Sequence, residues 1–185
     1  VVPKGFTRFL GKITELSDKG VNIHLILGNH DMWVLDYFQK ELGINVYPDK
    51  IKIRINNNLL LVGHGDAIGK GDLGYKFLKL IFKNKISRFL YRWIHPDIGI
   101  KLGIYLSNRK KNGTKDYSII NNERIYNYCK QIENTNHHDY YIFGHSHQPI
   151  EKKINSNSKY INVGDWIKNS NYLVVKNEQF QLKSF

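Results

Sequence analysis

A single cysteine, Cys129, means that no disulfide can close within this chain, and it suits a reducing compartment. No apolar run reaches the roughly 18–20 residues that a membrane-spanning helix needs. The opening "VVPKGFTRFLGK" lacks the pattern of a secretory signal, so a cytoplasmic protein is expected. The one methionine is Met32, so the chain does not open on an initiator. Acidic residues are scarce, 16 against 28 Lys and Arg, which leaves a net charge of +12 over 185 residues. The remainder, 41% apolar and 24% charged, is an ordinary globular composition with enough length for one domain and a sizeable core.

The excess of positive charge is local. Residues 70–111 hold eleven Lys and Arg against only Asp72 and Asp97, nine of the twelve net charges. Such a field attracts phosphates, nucleic acid or an anionic membrane surface. The same segment carries apolar residues at helical spacing: Leu73, Phe77, Leu80 and Ile81, then Ile86, Phe89, Leu90 and Trp93. We read residues 70–115 as a helical, basic and apolar cap insertion that can engage lipid. A helix pair packed on the domain is the plainer alternative.

Elsewhere the pattern alternates. Phe6, Phe9, Leu10, Ile13 and Leu16 predict a helix that Gly20 stops. "VNIHLIL" (21–27) predicts a buried strand, and a short helix fits 32–42 up to Gly43. Residues 51–55 and 59–62, joined by asparagines, predict a hairpin. A helix is expected over 117–133, with Tyr117, Ile120, Ile125, Tyr128 and Ile132 as core positions. "DYYIF" (139–143) predicts another buried strand, followed by β-like runs at 149–154, 159–163, 171–175 and the final "FQLKSF". Strand–loop–helix units early and antiparallel strands late point to layered α/β structure.

Three polar clusters each follow an apolar strand: "GNHD" (28–31), "GHGD" (63–66) and "GHSH" (144–147). Loops at strand ends are where α/β scaffolds hold chemistry, because the sheet fixes the side chains. His145 and His147 are two imidazoles one residue apart; an extended segment would point them the same way, whereas a turn could send them to adjacent metals. His64 lies between glycines that allow close backbone approach, and Asn29 offers a neutral oxygen. Imidazole with oxygen suits Mn, Fe, Zn or Ni better than Mg or Ca. His24, His137 and His138 are read as structural or exposed.

These three clusters, in this order, resemble the third, fourth and fifth motifs of calcineurin-like metallophosphoesterases. The resemblance implies an α/β fold, a four-layer α/β/β/α sandwich with two metals, most often Mn²⁺ here. It implies that Asn29, His64 and His145 bind one metal and His147 the other. His30 would stand beside the phosphate and Asp31 would orient it. The family's first two motifs, D-x-H and G-D, do not occur in residues 1–28. The first strands are therefore expected to be absent, further residues are expected ahead of Val1, and the 185-residue chain alone is expected to be weakly active or inactive.

The wider chain resembles the UDP-2,3-diacylglucosamine diphosphatases of lipid A biosynthesis, in the branch with "GNHD". That likeness implies hydrolysis of a UDP-linked diacylglucosamine lipid to UMP and 2,3-diacylglucosamine 1-phosphate, at the cytoplasmic face of the inner membrane. It marks Asp72, Tyr75, Ser107 and Lys115 as substrate contacts, together with Asn29, His30 and His145. An anionic membrane surface is the expected partner, and nucleic acid is not. The rivals are another phosphodiesterase or nuclease that tracks a phosphate backbone with the basic segment, and a catalytically dead scaffold.

Overall fold

The computed structural model describes residues 4–31, 34, 36–108 and 115–185, with the backbone alone at 106–108 and 115–118. Two compact units emerge, Val1–Pro48 with Lys76–Lys111, and Asp49–Tyr75 with Asn112–Phe185.

In the first unit, helix α1 (Thr7–Asp18) precedes strand β1 (His24–Ile26), helix α2 (Tyr37–Leu42) and strand β2 (Asn45–Tyr47). β1 and β2 pair in parallel, His24 opposite Asn45, so α2 lies in a crossover connection. Gly43 ends α2 in the left-handed region, φ 64°, and its carbonyl accepts the Ser17 hydroxyl of α1 at 2.9 Å. Leu42 and Ile44 are buried beside it. On α1, Leu10, Ile13 and Leu16 are half-buried as expected, while Phe6 and Phe9 stay exposed. β1 is shorter than the apolar run 21–27 because its partner is short. β2 has room for only three paired residues between Gly43–Ile44 and Pro48, whose ring removes a donor. That shortness also hid β2 from the sequence. The expected helix at 32–42 is present as Tyr37–Leu42; Met32, Trp33 and Leu35 lie outside the described residues.

Three helices follow, α3 (Leu73–Lys83), α4 (Lys85–Arg92) and α5 (Pro96–Asn108). α3 begins in the second unit and continues in the first. Asn84 caps α4, its side-chain oxygen accepting from the N–H groups of Ile86 and Ser87. The Tyr91 hydroxyl donates to the Gly99 carbonyl at 2.9 Å and ties α4 to α5. The apolar faces of these helices are open to solvent: Leu73 is 77% exposed and Trp93 78%. No helix among the described residues is long and apolar enough to cross a membrane.

The second unit is built on a mixed sheet of β3 (Ile51–Ile55), β4 (Asn58–Val62), β5 (Tyr140–Phe143), β6 (Ile150–Lys153) and β7 (Lys159–Asn162). Their order is β3-β4-β5-β7-β6. β4, β5 and β7 run parallel in the middle, and each edge strand is antiparallel to its neighbour. Helix α6 (Lys115–Glu133) packs its Ile125 and Cys129 against Leu61, Tyr141, Phe143 and Tyr160. Of the expected core positions, Ile125 is fully buried and Tyr128 and Ile132 pack against this cluster. Ile120 is instead exposed, because it faces an open groove that Arg124 and Tyr128 also line. The Tyr117 side chain lies outside the described residues. A separate ribbon, β8 (Asn171–Lys176) with β9 (Gln179–Ser184), turns at Asn177 and Glu178, both at positive φ. The mixed α/β class expected from the sequence is the observed one.

Candidate functional site

Three parallel strands end side by side. Val62 of β4 pairs with Ile142 of β5, and Phe143 of β5 with Asn162 of β7. The segments that follow, 63–66, 144–147 and 163–166, therefore leave the sheet from one edge. The ladder continues past the strands. Gly63 donates to the Ile142 carbonyl, Gly144 to that of His64 at 3.0 Å, and Val163 to that of Phe143. Backbone bonds thus join "GHGD" to "GHSH" directly.

His64 and His145 meet there. His64 Nε2 lies 3.3 Å from His145 Nδ1, and the rings cross edge to face at 5.1 Å. Burial, with the neighbouring His64 second, pushes the His145 imidazole down to about 4, so it is neutral at physiological pH. A neutral imidazole is the form that ligates a cation. The backbone around the pair admits no extra atoms. A Cβ on Gly63 would come within 2.7 Å of the Phe143 ring, and one on Gly65, at φ +109°, within 2.9 Å of Ile125 Cδ1. Two facing nitrogens with glycines on both sides of His64 fit a divalent cation.

His147 is exposed and does not complete a cluster. Among the described residues, no three of His, Cys, Asp and Glu converge as a metal cage. His145 and His147 both adopt left-handed backbone, φ 63° and 58°, so "GHSH" is a tight turn and not the extended segment that would aim both rings alike. Asn29, His30 and Asp31 belong to the first unit. There Asp31 accepts the Gly28 N–H at 2.9 Å and donates its own N–H to the Gly28 carbonyl, closing a turn with His30 exposed.

The expected substrate contacts sit among protein partners. Asp72, at φ 52°, is ion-paired with Arg124 of α6 at 3.4 Å. Tyr75 donates its hydroxyl to Asp66 at 2.8 Å. Ser107 and Lys115 fall in the last turn of α5 and the first of α6, with their side chains outside the described residues.

Four further residues emerge that the sequence reading passed over. Asp66, 5% exposed, and Arg124 both act electrostatically on His145. Asp165 follows β7 and interacts with His147; burial, which would push its carboxyl up, is outweighed by the N–H groups of Lys168 and Ile167. Asn122 of α6 accepts the Ser146 hydroxyl inside the turn. "VGDW" after an apolar strand repeats the pattern of the other three clusters, so Asp165 was findable. Asn122 and Arg124 had no local signal, because each acts on a loop far away in sequence.

Residues 2–149 match the profile described as calcineurin-like phosphoesterase. The chain belongs to that family. It is therefore a metal-dependent phosphoesterase by descent, a hydrolase, and divalent cations are its cofactor class. Similar proteins named UDP-2,3-diacylglucosamine hydrolase include one from Porphyromonas gingivalis, 36% identical over 94% of this chain and 72% of the relative. One from Pseudomonas fluorescens is 28% identical, covering 94% and 71%. Another, from Ectopseudomonas mendocina, is 26% identical, covering 95% and 74%.

Proposed function

We propose that this phosphoesterase hydrolyses the pyrophosphate bond of UDP-2,3-diacylglucosamine, releasing UMP and 2,3-diacylglucosamine 1-phosphate for lipid A biosynthesis. The observation that carries the reading is the likeness to hydrolases named for that substrate over 94% of the chain. The facing imidazoles of His64 and His145 at the sheet edge support it.

In this reading His64 and His145 would hold one divalent ion and His147 would contribute to a second, both Mn²⁺, with Asn29 a ligand by the family's motif alone. Bound cations supply charge neutralisation at the phosphoryl oxygens and lower the pKa of the attacking water. His30 donates a proton toward the leaving phosphate, and Asp31 supports the loop that presents it. Asp72, Tyr75, Ser107 and Lys115 contact the sugar lipid. Residues 70–115 form the cap, which rests on the anionic cytoplasmic face of the inner membrane. The open apolar faces of α3 and α4 beside Lys76, Lys79, Lys83, Lys85, Arg88 and Arg92 favour lipid over a nucleic-acid backbone, which would need the charge alone.

The test is to assay the full-length protein with Mn²⁺ for UMP release from the lipid substrate, beside unlipidated phosphodiesters and DNA. UMP release confined to the lipid substrate is expected. Cleavage of the diesters or DNA without UMP release would refute the assignment.

A further inference from the structure

The "GHSH" turn contains two L-residues in the left-handed region, at φ 63° and 58°, with Ser146 between them. Each costs conformational energy, and such a turn persists only when its surroundings over-determine it. Within the turn, the Ser146 N–H reaches the Gly144 carbonyl at 2.7 Å. The rest of the restraint comes from outside. The Ser146 hydroxyl donates to Asn122 Oδ1 at 2.8 Å, and both residues are nearly sealed from solvent, 5% and 4% exposed. Asn122 Nδ2 donates to the Gln148 carbonyl at 3.4 Å and to its side-chain oxygen at 3.3 Å, just past the second histidine. Tyr160 donates its hydroxyl to the same Oδ1 at 2.9 Å, and Asn162 links Tyr160 back to the Gly144 carbonyl. One buried amide therefore brackets the turn at its middle and its end.

A buried amide is costly unless paired, and an apolar residue would fill the space between α6 and the sheet as well. The pairing accounts for the polar residue. We propose that Asn122 is a positioning residue: through Ser146 and Gln148 it holds His145 and His147 in the orientations in which each binds its own cation. The proposal rests on the metal-site reading above. It adds a residue on a helix, remote from every motif, to what sets metal affinity.

The test measures Mn²⁺ affinity by calorimetry, and kcat separately from KM, in the full-length protein. Asn122→Leu should weaken Mn²⁺ binding by about tenfold or more, the loss typical of residues that orient metal ligands, and should lower kcat more than it raises KM. Asn122→Asp keeps the acceptor for Ser146 and Tyr160 but loses the donor to Gln148, and should recover only part of the affinity. Ser146→Ala removes the same bond from the other end with little change in volume, and it decides the matter if Asn122→Leu fails to fold. Glu133→Gln, at the far end of α6, should lower the melting temperature and leave Mn²⁺ affinity within twofold. Mn²⁺ affinities within twofold of wild type in both Asn122→Leu and Ser146→Ala would overturn the proposal while leaving the site intact. A wild-type protein that binds no Mn²⁺ would overturn the site itself, and the proposal with it.

Discussion

Gly63 and Gly65 stand on either side of a histidine, yet each must be glycine for a different reason. Gly63 has ordinary backbone and no space, because a methyl would press on the Phe143 ring and Lys50 Cβ at 2.7 and 2.9 Å. Gly65 has little space and a φ of +109° as well, which other residues rarely adopt. Gly63→Ala should cost about 1–3 kcal/mol by overpacking, visible as a lowered thermal midpoint; an unchanged midpoint would mean the ring swings away freely. His145→Ala should reduce turnover about 100-fold or more, since losing a ligand exceeds losing its support, and wild-type kinetics would remove His145 from the site. The histidines and glycines were legible because their spacing after apolar strands is unusual. Arg124 was not. Its roles, an ion pair with Asp72 and a field at His145, depend on a helix crossing to two loops.

At the scale of elements, α6 has chemistry at both ends. Its C-terminal Glu133 accepts the hydroxyls of Tyr141 and Ser158, both at 2.6 Å, and the Asn155 amide at 2.9 Å, and it pairs with His137 at 2.7 Å. Burial pushes the Glu133 carboxyl up, but the bonds from Ser158, Tyr141, His137 and Asn155 outweigh it and hold the group well below the carboxylate range. A depressed folded-state pKa stabilises the protein above the unfolded value, about 4.3, and that stability is lost as pH falls through the folded one. The bond to Glu133 raises the exposed His137, and its opposite contribution fades as pH rises through the folded His137 value. Urea unfolding should thus show wild-type stability dropping below pH 5. Glu133→Gln should be about 2–3 kcal/mol weaker at pH 6 and flatter in acid. Equal slopes would place the acid sensitivity elsewhere. Strands β3 to β9 were readable from apolar runs and turn residues. β1 was overextended and β2 missed because three paired residues leave no periodicity to detect.

At the scale of the whole molecule, the basic excess lies in 70–111 while His30, His64, His145 and His147 of the proposed site lie outside it. Binding to vesicles with anionic lipid should weaken when Leu80 and Trp93 are both changed to Ser, and weaken further with salt. The expected electrostatic share is about 1 kcal/mol for each Lys or Arg near the surface. Binding that survives both changes would mean the apolar faces serve another partner. Cations that bind the folded state alone should raise its stability by about 2.7 kcal/mol at a hundred times Kd. The melting temperature should therefore climb with Mn²⁺ and fall on chelation, and a midpoint indifferent to both would argue against a site.

The bond from Gly144 to the His64 carbonyl closes a separation of 80 residues with a single amide. Whatever the chain does between them, the sheet register returns these two positions to each other. The helical segment from α3 to α5 within that stretch is thereby released from any duty to align the histidines, which falls to α6. It can lengthen, shorten or change its chemistry as substrates change, which makes it the natural place for one phosphoesterase scaffold to diversify.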